Sequence, residues 1–298
     1  MEMSYQLKND QLIIDFAEQG FYQGKRFDWS GFITGVTLRQ GNHNFCVPES
    51  LVPGLGTGGA GLCNEFGIAD PIGYEDAKVG ELFPKLGVGL LTRVDEEPYQ
   101  FHKEYPLIPY RQEVTQESSS KLCFTVFPQE CRGYAVRLEK QIHIEDNRLI
   151  LDYTLHNEGS KTISTTEYNH NFLGIDQHGI GPGYTLKFPF ELVPEVDEEG
   201  SMDSLLFQGS EVNWNGTQDS WFYFRLQGVG QATEPQGWIW DLYHRESRAG
   251  VREISTYPVD SIAVWGEKHV ISPEIFIKLN VAPGDSYSWS RIYEFYTK

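Results

Sequence analysis

A period-two alternation of apolar and polar residues dominates this chain and predicts half-buried antiparallel strands. It is clearest in four stretches: VRLEKQIHI (136–144), LILDYTL (149–155), IFIKLNV (275–281) and SYSWSRIYEF (286–295). The segments EDNRL and APGDS lie between such stretches and have the composition of tight turns. No stretch of three or more turns carries apolar residues at helical spacing. We therefore predict an all-β fold, in which residues 1–298 form one domain of two large antiparallel sheets packed face to face.

The glycine-rich stretch GLGTGGAG, residues 54–61, contains the spacing G-x-G-x-x-G twice. A dinucleotide-binding loop of this spacing must follow a buried strand and open a helix. Here VPESLVP precedes the loop with two prolines, and NEFGIADPIGYED follows it with several helix breakers. Without a helix N-terminus there are no free N–H groups for a pyrophosphate. We therefore predict a tight loop that shapes the rim of a cleft, and no nucleotide site.

The charge balance of the sequence bears on its partners. There are 42 acidic and 24 basic residues, and the formal net charge is −18. Because phosphate contacts need clustered Lys and Arg, neither a nucleic acid nor an anionic membrane is an expected partner. The N-terminus lacks the features of a signal peptide, and no apolar run reaches the roughly 20 residues that span a bilayer, so we expect a cytoplasmic protein. The four cysteines have no C-x-x-C spacing, and we expect neither a metal nor a cofactor.

The sequence has none of the usual signatures of metal hydrolases, serine hydrolases or P-loop proteins. We therefore look for catalytic groups among its histidines and carboxylates. His170 lies in TTEYNHNFLGID between two asparagines, next to a glycine-rich loop. Glu274 opens the strand IFIKLNV on the face opposite its core residues, and apolar neighbours raise the pKa of a carboxyl towards the range of a general base. Taken alone, a structural histidine and a solvated glutamate remain open as alternatives. His102, among the aromatics of YQFHKEYP, either lines a pocket or covers the core.

Two long segments resemble the galactose mutarotase (aldose 1-epimerase) superfamily. YAVRLEKQIHIEDNRLILDYTLHNEGSKTISTTEYNHNFLGID resembles the strand pair of that family and the following strand, which carries an acid histidine. SPEIFIKLNVAPGDSYSWSRIYEFY resembles its closing segment, where a catalytic glutamate precedes a turn and a final aromatic strand. The resemblance is clear over residues 130–180 and 250–298. It implies a β-supersandwich with an open cleft for a small sugar.

The resemblance also implies a mechanism that needs no metal and no cofactor. Glu274 would take the proton of the anomeric C1 hydroxyl while His170 gives a proton to the ring oxygen, so that the ring opens and recloses as the other anomer. The family has a further histidine earlier in the chain, and here Leu86 of FPKLGVGLLTR stands at that position. The polar residues that we consider for binding the sugar are Lys85, Arg93, His102, Asn169, Arg26, Asp28 and Asp241, with Asp219 as a less favoured alternative to Asp241.

Two other functions fit the same pattern. The missing early histidine is compatible with a carbohydrate-binding protein that has the same fold and no catalytic activity. A lyase that acts on uronate-containing saccharides is a further alternative, because related sandwiches host eliminations. An aldose 1-epimerase is the function that we predict.

Overall fold

The computed structural model describes residues 5–18, 20–197, 199–227, 237–255 and 257–298, without the side chain of residue 255. The first four residues, which belong to the N-terminal stretch considered above, lie outside these ranges. The strands are β1 (Gln6–Lys8), β2 (Leu12–Phe16), β3 (Ile33–Leu38), β4 (His43–Asn44), β5 (Leu62–Phe66), β6 (Leu82–Lys85), β7 (Gly89–Thr92), β8 (Leu107–Pro109), β9 (Gln112–Ser118), β10 (Lys121–Val126), β11 (Val136–Glu145), β12 (Arg148–Asn157), β13 (Ile163–Asn171), β14 (Tyr184–Lys187), β15 (Pro194–Val196), β16 (Leu205–Gln208), β17 (Glu211–Trp214), β18 (Phe222–Leu226), β19 (Trp240–His244), β20 (Ala249–Ser255), β21 (Ser261–Glu267), β22 (Val270–Val281) and β23 (Ser286–Thr297).

The strands form two ten-stranded sheets and one small sheet of three. Sheet one has the order β1-β2-β3-β5-β13-β22-β21-β18-β15, with β4 paired to β3. Sheet two has the order β16-β17-β14-β19-β20-β23-β12-β11-β10-β9, and β6-β7-β8 form the small sheet. The predicted all-β fold with two large antiparallel sheets is confirmed. The helical segments of the described residues are two 3-10 turns, Gln40–Asn42 and Ile175–Gln177, and no helix there has the length and apolar character to cross a membrane.

The predicted turn EDNRL closes the hairpin of β11 and β12. Glu145 and Arg148 are paired in register, so Asp146 and Asn147 form a two-residue connection. Asp146 has a φ of 51°, in the left-handed region that such short hairpin turns require and that Asp tolerates better than most residues. The turn fixes the register, and a slip by one residue would move every core side chain of the hairpin to the other face.

Two charged side chains lie between the sheets on otherwise apolar strand faces. Arg291 of β23 is fully buried and donates to Glu167 of β13 at 2.8 Å and to Glu253 of β20 at 2.9 Å. Lys140 of β11 is also buried, with its Nζ 3.6 Å from a carboxylate oxygen of Asp28. Removing one partner from such a buried pair costs about 3–5 kcal/mol, because the other charge is left uncompensated. The Arg291–Glu167 pair therefore ties sheet two to sheet one, and the Lys140–Asp28 pair ties sheet two to the loop before β3.

Candidate functional site

Strand β13 points His170 away from the interior of the sandwich. Its neighbour Asn169 faces sheet two, where its side-chain amide donates to the Tyr293 hydroxyl of β23 at 2.9 Å. Since successive side chains of a strand point to opposite faces, Tyr168 and His170 lie on the outer face of sheet one. The loops that precede β5 and the segment before β3 cover this face, so His170 is only 4% exposed.

Strand β22 places Glu274 beside His170 on the same outer face. Ile275 and Ile277 point into the core, and Glu274 points the other way, as the alternation predicts. The Glu274 Oε1 atom lies 3.2 Å from His170 Nε2, and Glu274 is 5% exposed. The structure thus brings the two predicted residues into direct contact. We call them the histidine–glutamate pair.

The surroundings of the pair disfavour charge on both members. The His170 ring stacks on Phe172, with centroids 4.1 Å apart, and meets the edge of Trp265 at 5.3 Å. Burial, followed by the charge of Arg26, lowers the pKa of His170 well below its ordinary 6.5. Burial also raises the pKa of Glu274 from 4.5 to about 8. Both shifts favour the uncharged forms, so at neutral pH the carboxyl group keeps its proton and the imidazole is neutral.

Hydrogen bonds orient the carboxyl group and leave one nitrogen of the imidazole ring open. The Ser272 hydroxyl donates to Glu274 Oε1 at 3.3 Å and accepts from the backbone N–H of Asn171 at 2.8 Å. Among the described residues, the buried Nδ1 of His170 has no hydrogen-bond partner. A buried polar atom without a partner is costly, and a ligand hydroxyl at this atom would remove that cost.

A buried cluster of charges lies next to the pair on the same face. Arg26 donates from Nε to Glu65 at 2.9 Å and from Nη2 to the Tyr168 hydroxyl at 2.9 Å. That hydroxyl donates to Glu65 at 2.6 Å, and Lys85 donates to the other oxygen of Glu65 at 3.1 Å. One carboxylate thus serves two basic side chains, and burial lowers the pKa of Lys85. The charge of Arg26 acts on the pair, where it favours the carboxylate form of Glu274.

The glycine-rich loop of residues 54–61 packs against this cluster, and a strand rather than a helix follows it. Arg26 donates from Nη1 to the Thr57 hydroxyl at 3.2 Å. A Cβ atom at Gly59 would overlap the ring of Phe172, the same ring that stacks on His170. The loop therefore supports the aromatic wall of the pair, which fits the predicted place at the rim of a cleft.

Three partly exposed aromatic side chains continue the outer face beside the pair. Tyr223, Trp265 and Phe276 lie on β18, β21 and β22, and we call them the aromatic shelf. Arg225 is exposed beside them and donates to the Tyr223 hydroxyl at 2.9 Å. These four residues are not among the predicted ones. The alternation of FYFRL, SIAVWGE and IFIKLNV nevertheless puts them on the face opposite the core residues.

Three predicted binding residues reach the neighbourhood of the pair. Arg26 and Lys85 both bind the carboxylate of Glu65, in the charged cluster next to the pair. His102 is exposed, and its ring lies 5.5 Å from that of Phe101, which packs 4.2 Å from the Arg26 guanidinium. Whether these side chains contact a sugar stays a prediction.

The structure does not bring the other predicted binding residues to the pair. Arg93 donates to backbone carbonyls, among them that of Ala77 at 2.9 Å, and so holds a loop. Asp241 lies on β19 of sheet two and accepts a hydrogen bond from Tyr296. The remaining ones are likewise engaged or placed elsewhere: Asn169 faces sheet two, Asp28 faces Lys140, and Asp219 is exposed in the loop before β18. Leu86, at the position of the early histidine, is buried.

A cavity of about 450 Å³ lies away from the pair. Aromatic and acidic side chains line it, among them Tyr22, Trp29, Tyr110, Glu18 and Glu113, and no histidine is among them. Acid–base chemistry on a sugar needs a proton donor and a proton acceptor within hydrogen-bond reach of one substrate. The histidine–glutamate pair brings such groups together on one face, so we place the candidate site there rather than in this cavity.

Comparisons with solved structures give the same fold over nearly the whole chain. A galactose mutarotase related enzyme from Lactobacillus acidophilus is 12% identical and matches 99% of this chain and 98% of its own, with a TM-score of 0.64. An aldose epimerase homologue from C. elegans is 12% identical and matches 100% of this chain and 99% of its own, with a TM-score of 0.63. A galactose mutarotase-like protein from Lactobacillus casei is 13% identical and matches 99% and 100%, with a TM-score of 0.59. No protein-family profile and no curated protein sequence matches the chain.

Proposed function

We propose, from the premise that the chain has a galactose mutarotase-like fold, that it is an aldose 1-epimerase-like enzyme acting on a small sugar. The observation that carries the proposal is the 3.2 Å distance between His170 Nε2 and Glu274 Oε1 on the outer face of sheet one. Fold alone does not give function, so the argument depends on this pair of groups and its surroundings. Structures of similar fold are described as aldose epimerase homologues, which is consistent with a carbohydrate ligand.

The proposed reaction moves two protons and breaks one bond. The Glu274 carboxylate accepts the proton of the C1 hydroxyl, the bond between C1 and the ring oxygen breaks, and the ring oxygen takes a proton from the His170 imidazolium. Rotation about the C1–C2 bond and the reverse steps give the other anomer. Both groups must act on one substrate at once, which their placement on adjacent strands supports.

The reaction needs a Glu274 carboxylate and a His170 imidazolium. The pair carries the right number of protons for this, but one proton must move from Glu274 to His170 first. In the ligand-free pair the proton rests on Glu274, since burial raises the pKa of this carboxyl to about 8. Transfer to His170 leaves the total charge of the pair unchanged and needs no exchange with solvent. The charge of Arg26 favours the carboxylate form of Glu274 and disfavours the imidazolium form of His170, so its two effects on this transfer oppose each other.

Sugar binding without catalysis is the second candidate function. It is favoured by the buried Leu86 at the position of the early histidine. A binding protein of this kind would hold its sugar when Glu274 is replaced by Gln, and the wild-type protein would not change the rate of anomer exchange.

Polarimetry on freshly dissolved single anomers tests the proposed function. We expect the wild-type protein to accelerate mutarotation of at least one sugar in a panel of D-glucose, D-galactose, D-mannose and D-xylose. His170→Asn and Glu274→Gln should each lose about 100-fold or more of that rate, as expected for removing a positioned acid or base.

The chain offers a matched control on the other sheet. His143 and Glu145 of β11 form a solvent-accessible pair with Nε2 and Oε1 3.7 Å apart. His143→Asn and Glu145→Gln should leave the rate unchanged. The proposed function is refuted if the wild-type protein accelerates none of the sugars, and the second candidate gains if it nevertheless binds one of them.

A further inference from the structure

Two histidines and a glutamate come together at one end of the sandwich, apart from the histidine–glutamate pair. Among the described residues, one ligand atom each of His178, His244 and Glu246 lie within 4.8 Å of one another. His178 follows the 3-10 turn Ile175–Gln177 that leaves β13 of sheet one, whereas His244 ends β19 of sheet two. Glu246 lies in the turn between β19 and β20. His178 thus lies in the connection from β13 of sheet one to β14 of sheet two, and His178 and Glu246 are exposed.

An unfavourable backbone conformation positions His178. Asp176 and Gln177 immediately precede it and have φ angles of 52° and 60°. Left-handed conformations at successive residues other than glycine are disfavoured and persist only where the surroundings enforce them. The Tyr184 hydroxyl does so, because it accepts from the backbone N–H of Ile175 at 2.9 Å and donates to the His178 carbonyl at 3.1 Å.

His244 is the fixed member of the group. It is 3% exposed, its ring stacks on that of His178 with centroids 4.3 Å apart, and its Nδ1 lies 2.9 Å from the Ser247 hydroxyl. The backbone N–H of Ser247 also donates to Nδ1 at 3.3 Å. Binding of an ion at Nε2 therefore needs the tautomer in which Nδ1 carries the proton and donates it to the Ser247 hydroxyl. A Cβ atom at Gly183 would lie 2.6 Å from Nε2, so glycine keeps its edge free of a side chain. A hydrogen bond to the second nitrogen is the usual support for a metal-binding histidine.

We propose that His178, His244 and Glu246 bind a divalent late-transition cation of the Zn²⁺ type. Imidazole nitrogens with one carboxylate suit Zn²⁺, Ni²⁺ and Cu²⁺, whereas Mg²⁺ and Ca²⁺ prefer oxygen ligands alone. Bond lengths of about 2.0–2.1 Å require ligand atoms no more than about 4 Å apart. Because stacked rings do not aim their nitrogens at one ion, the exposed His178 must turn away from the His244 ring to bind that ion. Glu246 is also exposed and can close the remaining gap while the buried His244 stays in place.

The bound ion would tie two connections together. His178 belongs to the connection between β13 and β14, and His244 and Glu246 lie at the turn between β19 and β20. An ion that binds the folded chain and not the unfolded chain raises the free energy of unfolding by RT ln(1 + L/Kd), where L is the concentration of the free ion, and so raises the unfolding temperature. The site therefore acts as a cross-link between these two connections, and it is independent of the proposed enzymatic function.

Titration calorimetry and thermal unfolding of the metal-stripped full chain test this site with Zn²⁺ as the probe. We expect one Zn²⁺ per chain, a rise in unfolding temperature that EDTA reverses, and no such binding of Mg²⁺. His178→Gln and Glu246→Gln replace exposed residues, so these variants should fold, and both should lose the saturable binding. Ser247→Ala should weaken it by about 10-fold or more, as loss of a supporting hydrogen bond does at other metal sites.

His156→Gln is the matched control, because His156 lies on β12 next to Glu139 and outside the group. It should leave both the stoichiometry and the affinity for Zn²⁺ unchanged. The proposal is overturned if the wild-type chain shows no saturable binding. It is equally overturned if His178→Gln binds Zn²⁺ with wild-type affinity.

Discussion

Replacing Glu274 by glutamine should make the protein more stable at neutral pH while it removes the proposed base. The carboxyl is 5% exposed, and burial raises its pKa from 4.5 to about 8. In the unfolded chain the same group ionises at its ordinary pKa. Between these two pKa values the folded protein keeps a proton that the unfolded chain has released, so the stability of the wild type falls as the pH rises.

The magnitude follows from the difference between the two pKa values. Each pH unit between them costs about 1.4 kcal/mol, which gives up to about 3 kcal/mol at pH 7. Glutamine does not titrate, and its amide can still donate to His170 Nε2. The difference in free energy of unfolding between Glu274→Gln and wild type should therefore grow from about zero near pH 4.5 to about 3 kcal/mol near pH 7. Titration of His170 is common to both proteins and cancels to first order.

Urea unfolding at a series of pH values between about 5 and 8 measures this difference, because a shift in midpoint at constant slope reports stability. Gln141→Asn is the control: Gln141 is exposed on β11 and neither amide titrates, so its difference from wild type should stay flat with pH. A flat difference for Glu274→Gln as well would refute the reasoning. It would mean that Glu274 ionises in the folded protein as readily as in the unfolded chain.

Three further predictions concern the surroundings of the pair. The kcat/KM for anomer exchange should fall above about pH 8, where the pair loses its proton, and a rate still rising at about pH 9 would contradict this. Arg26→Met should lower the free energy of unfolding by about 3 kcal/mol in urea titrations, because it takes one of two basic partners from the buried Glu65, and a loss near zero would be inconsistent. Gly59→Ala should destabilise the protein by about 1–3 kcal/mol, because its Cβ overlaps Phe172. Gly216→Ala is the control: its Cβ meets open space, so it should be neutral. Equal stabilities of the two variants would argue against the close packing of the loop.

The fold was predictable because the strands are long and regular in their alternation. Periodicity alone predicts the hairpin of β11 and β12 and its turn. It did not predict that Lys140 and Arg291 would be buried, although both stand on the apolar faces of their strands. Their partners, Asp28 and Glu167, are distant in sequence, and a periodic pattern holds no information about which charges meet across a core.

The site was predictable only in part. Resemblance to a family indicated His170 and Glu274, and their contact agrees with a shared site. Alternation itself separates Asn169 from His170, because neighbours along a strand face opposite ways. The same rule, applied to the strands of Tyr223 and Trp265, would have found the aromatic shelf. Asp241 could not be placed this way, since its assignment to one sheet or the other depends on the order of the strands.

The most direct test of the central claim is whether His170 and Glu274 act as one unit. Two-dimensional exchange NMR on a responsive sugar gives the rate between its anomers for wild type, His170→Asn, Glu274→Gln and the double variant. Groups that act together lose nearly all of their effect when either one is removed. We predict that the double variant is no slower than the slower single variant. Single variants that retain the wild-type rate, or losses that multiply in the double variant, would contradict a joint acid–base role.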